Sequence, residues 1–153
     1  HFCLHSPAPQ LDTLNTANTL ISGRFETLGT LTSLRHAFVF NSRLSGMILP
    51  SIGQLTQLEQ LNFHGMPVSG TLPAATLGEL SSLIDLRFQD TLVSGLIPSS
   101  IGGLSDLTWV DGAGSKLSGT LPPSLFRQEA HDSQLQYVLS KYYVYLRTRT
   151  VMK

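Results

Sequence analysis

The chain has 153 residues, of which 13% are charged, and its formal net charge at pH 7 is zero. Soluble domains ordinarily carry roughly 25% charged residues, and this sequence lacks the excess of Lys and Arg through which proteins bind nucleic acids. It contains no apolar run near the roughly 18 residues of a membrane-spanning helix, and one cysteine is too few for an internal disulfide. The length suits one domain, and we predict no nucleic-acid partner.

The chain begins with a segment rich in proline and continues with repeats. Residues 1–10 contain Pro7 and Pro9 and are predicted to form an N-terminal loop. Residues 11–126 then repeat one pattern about five times: leucines three apart, apolar residues two apart, an apolar-Ser-Gly step, a proline and an apolar-Gly pair. From Ser45-Gly46 onward, successive Ser-Gly steps lie 24 or 25 residues apart. Such a period is typical of a solenoid whose coils stack side by side.

Each repeat contains one segment with the alternation of a strand. In Leu83-x-x-Leu86-x-Phe88 the last two apolar residues are two apart, which is the period of a strand with one face turned inward. The Ser-Gly steps place a permissive residue where the chain turns to the other side of the coil, and the prolines favour an extended or 3-10 return. We predict parallel strands near residues 36–40, 60–64, 84–88 and 108–111.

One repeat carries a recognisable family pattern. The stretch Leu92-Val93-Ser94-Gly95-Leu96-Ile97-Pro98-Ser99-Ser100-Ile101-Gly102 resembles the plant-type leucine-rich repeat. Residues 8 to 126 are in this way similar to receptor-kinase ectodomains and polygalacturonase-inhibiting proteins of plants, and to surface antigens of trypanosomatid protists. The resemblance implies a repeat solenoid with a parallel β-sheet on the concave face, 3-10 or extended returns on the convex face and a C-terminal capping segment. It also implies an extracellular or cell-surface location.

The sequence departs from that family pattern in three ways. A position usually held by Asn, which bonds backbone groups of the turn, holds Thr19, Ser42, Met66, Thr91 and Ser115. Hydroxyls can make similar bonds, whereas the Met side chain has no hydroxyl or amide to do so. The proline of one repeat is displaced to Pro50, and Gly112 replaces an inward apolar residue. We expect local irregularity at both places.

Residues 127–153 leave the repeat pattern and are predicted to be a C-terminal cap or a basic tail. An apolar stripe of helical spacing comprises Leu135, Val138, Leu139, Tyr142, Tyr145 and Leu146. The run 142–145 is also rich in strand formers, so a terminal strand is the alternative. In either form the segment would cover the last repeat. The other possibility is a basic tail, which includes Arg147, Arg149 and Lys153 and forms a solvated end.

The sequence carries no catalytic or cofactor motif. It has no Gly-x-Ser-x-Gly, phosphate-binding loop or His-Glu-x-x-His, and its five histidines are scattered without metal-ligand spacing. Asp85, Asp90 and Asp111 fall on adjacent predicted strands, so two of them could lie within the roughly 5 to 10 Å that a glycosidase needs. A shallow open sheet would not desolvate such carboxylates enough to raise a pKa. We predict a non-enzymatic protein without cofactor or metal.

The candidate binding residues are the outward positions of the predicted strands. In register they form three columns: Asn15, Phe38, Asn62, Arg87, Asp111; Thr13, His36, Gln60, Asp85, Trp109; and Ala17, Phe40, His64, Gln89, Ala113. Aromatic residues and Arg with few Lys are typical of protein interfaces. The predicted ligand-binding residues are His36, Phe38, Phe40, Asn62, His64, Asp85, Arg87, Trp109 and Asp111.

Two local alternatives accompany this prediction. A register slip of one residue would exchange Phe38 and Phe40 with Ala37 and Val39 and turn the phenylalanines inward. The C-terminal segment would, in the other alternative, partly cover Trp109. The favoured function is a recognition module that binds a peptide or protein, or less favourably an oligosaccharide, on the concave sheet. The alternatives are a scaffold fragment of a surface receptor or antigen ectodomain, and an inhibitor of a cell-wall hydrolase.

Overall fold

The structure is a computed structural model that describes residues 11–125, 138–140 and 143–147. Residues 11–125 form a solenoid of five coils. Each coil contributes one strand to each of two parallel sheets and then a short 3-10 helix. The helices span Phe25–Thr30, Pro50–Gln54, Leu77–Glu79, Ser99–Gly103 and Pro123–Leu125.

The first sheet forms the concave face and confirms the predicted strands. Its coil strands are β1 (Thr13–Asn15), β3 (His36–Phe38), β5 (Gln60–Asn62), β7 (Asp85–Arg87) and β9 (Trp109–Asp111). All neighbouring pairs are parallel, and the register aligns Thr13, His36, Gln60, Asp85 and Trp109. The strands lie within the predicted ranges but are shorter, with three residues each.

The second sheet was not predicted, because the Ser-Gly steps were interpreted as turns. It consists of β2 (Ser22–Arg24), β4 (Arg43–Met47), β6 (Val68–Thr71), β8 (Leu92–Gly95) and β10 (Lys116–Leu117). Gly46, Gly70 and Gly95 lie inside these strands with φ of +122°, +97° and +84°. Only glycine adopts such angles without steric cost, so one residue both continues the strand and redirects the chain.

The strand alternative is the one observed for the C-terminal segment. Strands β11 (Val138–Ser140) and β12 (Tyr143–Arg147) form an antiparallel hairpin, and β12 pairs antiparallel with β9. The predicted helix is therefore wrong over these residues. The structure does not describe residues 1–10, 126–137, 141–142 and 148–153. Leu135, Tyr142, Arg149 and Lys153 fall in these ranges. The division into loop, repeats and cap or tail stays a prediction.

The core lies between the two sheets and is built from one set of residues per coil. The buried row behind the concave sheet consists of Ala37, Leu61, Leu86 and Val110. Beside this row the rings of Phe25, Phe63 and Phe88 form a ladder, with centroids 4.9 Å and 5.9 Å apart. A Cβ placed on Gly112 would lie 2.6 Å from two carbons of the Phe88 ring. Gly112 thus makes room for the last ring of the ladder.

The irregularities expected at the displaced proline and at Gly112 are not observed. Leu49 has the extended backbone that Pro98 has in the equivalent place, and a five-residue 3-10 helix follows each. Pro50 opens its helix, where a missing N–H leaves no bond unmade. At Gly112 the ladder of backbone bonds continues, because Phe88 N donates to Asp111 O at 2.8 Å and Asp90 N to Ala113 O at 2.7 Å.

Hydroxyls do replace the usual asparagine of the turn. Ser42 Oγ donates to the carbonyl three residues earlier at 2.8 Å, and Thr91 Oγ1 does the same at 2.7 Å. Thr19 and Ser115 repeat this bond in their own coils. Met66 takes part differently, since its Sδ lies 3.1 Å from Ser42 Oγ and accepts from that hydroxyl. The turns are therefore joined by side-chain bonds despite the missing asparagines.

Candidate functional site: the concave groove

Strand alternation places the candidate residues on the concave face. Ala37 and Val39 are fully buried, whereas Phe38 and Phe40 are half-buried on the opposite side of the strand. The alternative register, which would turn these phenylalanines inward, is therefore wrong. The side chains of β3, β5 and β7 stand side by side because their strands pair without offset.

These side chains enclose a groove of about 340 Å³, lined by Asn15, Ala17, Phe38, Phe40, Gln60, Leu61, Asn62, Asp85 and Arg87. Five of the nine predicted residues line it directly: Phe38, Phe40, Asn62, Asp85 and Arg87. The prediction left out Asn15, Ala17 and Gln60, although all three belong to the same outward columns. Their side chains gave no signal of binding in the sequence, but all three line the groove together with the larger residues.

Two histidines flank the groove, and each stacks on a phenylalanine. The rings of Phe40 and His64 are 4.5 Å apart and inclined by 14°. The rings of His36 and Phe38 are 6.2 Å apart at the same inclination. His64 Nδ1 lies 2.7 Å from Asn62 Oδ1, which holds the imidazole over the Phe40 ring. Burial and the nearby positive charge of Arg87 lower the pKa of His64, so its neutral form is favoured.

Arg87 is held in place by two neighbours. Its Nε donates to Asp85 Oδ1 at 2.9 Å and its Nη2 to Asp85 Oδ2 at 2.7 Å. Its guanidinium carbon lies 5.5 Å from the centre of the Trp109 ring, in cation–π range. The hydrogen bonds to Asp85 raise the pKa of Arg87 further above its ordinary value. A side chain fixed in this way needs little further ordering when a ligand binds.

The structure does not place Asp111 among the exposed residues of the concave face. It was predicted to be an outward ligand-binding residue, but it is only 5% exposed. Its Oδ1 accepts a bond from the backbone N–H of Ala113 at 3.1 Å, and burial raises its pKa. Because β12 pairs with β9 and places Tyr145 opposite Asp111, this end of the sheet is covered at the backbone level. Asp111 stabilises the turn after β9.

Trp109 lies on β9, next to the C-terminal strand β12 in the same sheet. That the C-terminal segment partly covers its indole stays a prediction. Arg147 of β12 is its backbone partner. The indole does not line the groove, but through Arg87 it borders the groove on that side.

A charged cluster at the opposite side of the groove was not predicted. Arg35 Nε donates to Glu59 Oε1 at 3.0 Å. Glu59 Oε2 lies 3.5 Å from His36 Nε2, and Asp12 Oδ1 lies 3.9 Å from His36 Nδ1. The cluster consists of Asp12, Arg35 and Glu59 together with His36. The first three lie just before β1, β3 and β5, outside the alternating columns, so a prediction based on those columns did not include them.

Within residues 11–125, no three His, Cys, Asp or Glu side chains come together in a group that could hold a metal ion. In the same part of the chain no helix has the length and apolar character needed to cross a membrane. The chemistry available in the groove is that of aromatic surfaces, amides and one closed ion pair.

No protein-family profile and no curated protein sequence matches the chain. Its structure does match solved plant receptor ectodomains. A chain in the crystal structure of the Arabidopsis receptor kinase HAESA, in complex with the peptide hormone IDA and the co-receptor SERK1, is 31% identical over 75% of this chain with a TM-score of 0.71. The ectodomain of the Arabidopsis thaliana receptor kinase GASSHO1/SCHENGEN3, in complex with CASPARIAN STRIP INTEGRITY FACTOR 2, is 32% identical over 72% with a TM-score of 0.66. A chain of the Arabidopsis thaliana BIR3–SERK2 complex is 31% identical over 76% with a TM-score of 0.67.

The matched proteins are longer than this chain. It spans 19% of the first, 14% of the second and 63% of the third. What the similarity covers is therefore the stack of coils, and the ligands in those complexes are properties of those proteins.

Proposed function

We propose that this chain is a non-enzymatic recognition module that binds an extended peptide segment in the concave groove. The premise is that the chain is a leucine-rich-repeat solenoid of the plant repeat type, as its Ser-Gly-x-Ile-Pro pattern predicted and the matched ectodomains confirm. The observation that carries the proposal is the groove itself, in which Phe38, Phe40 and Asn62 lie beside the fixed Arg87 on three adjacent strands. Aromatic residues and Arg in such an arrangement commonly anchor protein ligands.

The chemistry of the lining suits a peptide. The Phe38 and Phe40 rings offer an apolar surface for one side chain, while the amides of Asn15, Gln60 and Asn62 can donate to and accept from peptide groups. The coil strands lie about 4.8 Å apart, so the open face crosses about 20 Å, which an extended peptide covers with about six residues. The peptide hormone IDA in the HAESA complex gives this class of ligand a precedent on a similar fold.

The state of the carboxylates supports a non-enzymatic role. Both oxygens of Asp85 accept bonds from Arg87, and Asp111 is buried with one oxygen bonded to the backbone. Neither is arranged as an acid and a nucleophile facing one substrate, as glycoside hydrolysis requires. An extracellular location belongs to the same proposal, because the matched structures are ectodomains of plant membrane receptors.

The test is selection of peptides against the recombinant chain, followed by comparison of two double variants. Phe38→Ser with Arg87→Ala removes one aromatic surface and the fixed cation without touching the buried row behind the sheet. Loss of a true anchor commonly costs about 2 kcal/mol or more, so selected peptides should bind at least about 30-fold more weakly.

The control is Glu79→Ala with Ser99→Ala, in the 3-10 helices on the other side of the coil. It should leave both binding and the thermal midpoint unchanged. Peptides that bind the groove variant as tightly as the native chain, or that respond only to the control, would refute the concave site and support the scaffold hypothesis.

A further inference from the structure

The groove is surrounded by more negative than positive side chains. The five coil strands of the concave sheet and their flanking residues carry the carboxylates Asp12, Glu59, Asp85, Asp90 and Asp111 and the guanidiniums Arg35 and Arg87. Arg147 on β12 belongs to the same sheet, so five carboxylates against three guanidiniums give a formal charge of −2. Arg35 is already paired with Glu59, and Arg87 with Asp85. Asp12, Asp90 and Asp111 have no Lys or Arg within salt-bridge distance in residues 11–125.

These three carboxylates lie at two corners of the groove. Asp12, at the β1 side, is 3.9 Å from His36, the histidine that stacks on Phe38. Asp90 and Asp111, at the β7 and β9 side, both act electrostatically on His64, the histidine that stacks on Phe40. The apolar centre of the groove therefore has negative charge on either side of it.

Among residues 11–125, Arg87 is the one cation that lines the groove, and it is not free to bind an acidic ligand. Two donors of Arg87 bind Asp85, and its face lies on Trp109. A carboxylate of a ligand would have to displace Asp85, and it would approach a region whose remaining charges repel it. A basic side chain meets neither obstacle.

From this arrangement we propose that the groove selects a cationic peptide, in which an apolar or aromatic side chain lies between Phe38 and Phe40 and basic side chains on either side of it approach Asp12 and Asp90. This inference rests on the proposed function and specifies the ligand of the same site. Asp12 precedes β1 and Asp90 follows β7. Because Thr13 aligns with Asp85, Asp12 and Asp90 are three strand spacings apart across the sheet and six residues apart along it, which gives a diagonal of about 24 Å. An extended peptide covers that distance in about seven residues, so the two basic residues should stand about seven positions apart.

The experiment uses three fluorescein-labelled peptides with the full chain. Their recognition cores are Lys-Ala-Ala-Phe-Ala-Ala-Ala-Lys, Glu-Ala-Ala-Phe-Ala-Ala-Ala-Glu and Lys-Ala-Ala-Ala-Ala-Ala-Ala-Lys, each with blocked ends. Binding is measured by fluorescence anisotropy in low and high NaCl. The first should bind at least about tenfold more tightly than the second in low salt, and the difference should shrink as salt screens the charges. The third should bind more weakly than the first at both salt concentrations, because it lacks the anchor.

A matched pair of variants tests where the charge acts. Asp90→Asn removes one charge at an exposed position with φ of +55°, a conformation that Asn18 and Asn41 adopt in the preceding coils, so the fold should be kept. It should weaken the first peptide about threefold and leave the second no weaker. Glu79→Gln makes the same charge change in the 3-10 helix Leu77–Glu79 and should alter neither.

The outcomes separate the inference from the function on which it rests. Equal binding of the basic and acidic peptides, or equal effects of Asp90→Asn and Glu79→Gln, would overturn the cationic preference and leave peptide binding in the groove standing. Failure of all three peptides to bind, together with failure to select any peptide against the chain, would overturn both.

Discussion

Replacing Gly112 by alanine is expected to destabilise the fold through the aromatic ladder. The added Cβ would lie 2.6 Å from Cε2 and Cζ of Phe88 and 3.3 Å from Cδ1 of Leu117. Carbon atoms in good contact are about 3.5 to 4.0 Å apart, so the overlap with the ring is about 1 Å. The Phe88 ring is fully buried and stacked on Phe63, which restricts its escape. Overpacking of this kind typically costs about 1–3 kcal/mol.

The assay is urea denaturation followed by circular dichroism, with Gly103→Ala as the control. Nothing lies within 4 Å of a Cβ at Gly103, so that variant should be as stable as the native chain or slightly more stable. A double-mutant cycle then assigns the cause: in a Phe88→Leu background, which lacks the two clashing ring atoms, Gly112→Ala should cost much less. The reasoning is refuted if Gly112→Ala is harmless, or if its cost is the same in both backgrounds.

The remaining predictions concern one buried leucine, one hydroxyl and two titratable groups. Leu86→Ala, at a residue 1% exposed in the buried row, should lower the free energy of unfolding in urea by about 2–5 kcal/mol; a loss below about 1 kcal/mol would contradict its place in the core. Ser42→Ala removes the bonds to a turn carbonyl and to Met66 Sδ and should cost about 1–2 kcal/mol by the same measurement, whereas a neutral result would mean that these bonds contribute nothing. Burial lowers the pKa of His64 below its ordinary value of about 6.5, so the unfolded chain binds a proton on this histidine at a higher pH than the folded chain. The free energy of unfolding should therefore decrease as pH falls through about 6.5. An NMR titration midpoint for His64 at or above about 6.5 would contradict this. Burial raises the pKa of Asp111, so Asp111→Asn, which keeps the acceptor oxygen without the charge, should unfold at a urea concentration no lower than the native chain; clear destabilisation would show that the charge itself is needed.

The strands of the concave sheet could be predicted because two independent patterns agree there. Residues two apart, such as Leu86 and Phe88, are both buried, and the same offset occurs in the preceding coil at Leu61 and Phe63. Alternation then fixes which residues point outward, and a parallel sheet without offset places them in columns. That is why Phe38, Asn62 and Arg87 were correctly placed together.

The second sheet escaped prediction because its strands are specified by their neighbours. A segment such as Val68–Thr71 is short, contains a glycine with positive φ and has no sustained alternation. Its strand character comes from hydrogen bonds to the coils before and after it, including those of Gly46 and Val68 in paired register. No pattern within a single repeat carries that information.

Two other errors have local physical causes. The apolar spacing of Val138, Leu139, Tyr145 and Leu146 fits a helix and a strand pair about equally, and pairing with the open edge of β9 decides for strands. Asp111 follows the outward column of its strand, but its carboxylate turns to the N–H of Ala113. This bond is specific to that coil's turn, and a column of positions does not predict it.

The placement of Trp109 gives the protein a built-in optical reporter. It is the only tryptophan among the 153 residues, and the large rings of the core ladder are phenylalanines, which do not absorb at wavelengths that excite indole selectively. With the Arg87 guanidinium 5.5 Å from its ring, the indole senses a positive charge whose position a ligand would change. Its emission should therefore follow occupancy of the groove without any label, and a repacked core that leaves Arg87 in place should be nearly silent at the same wavelength.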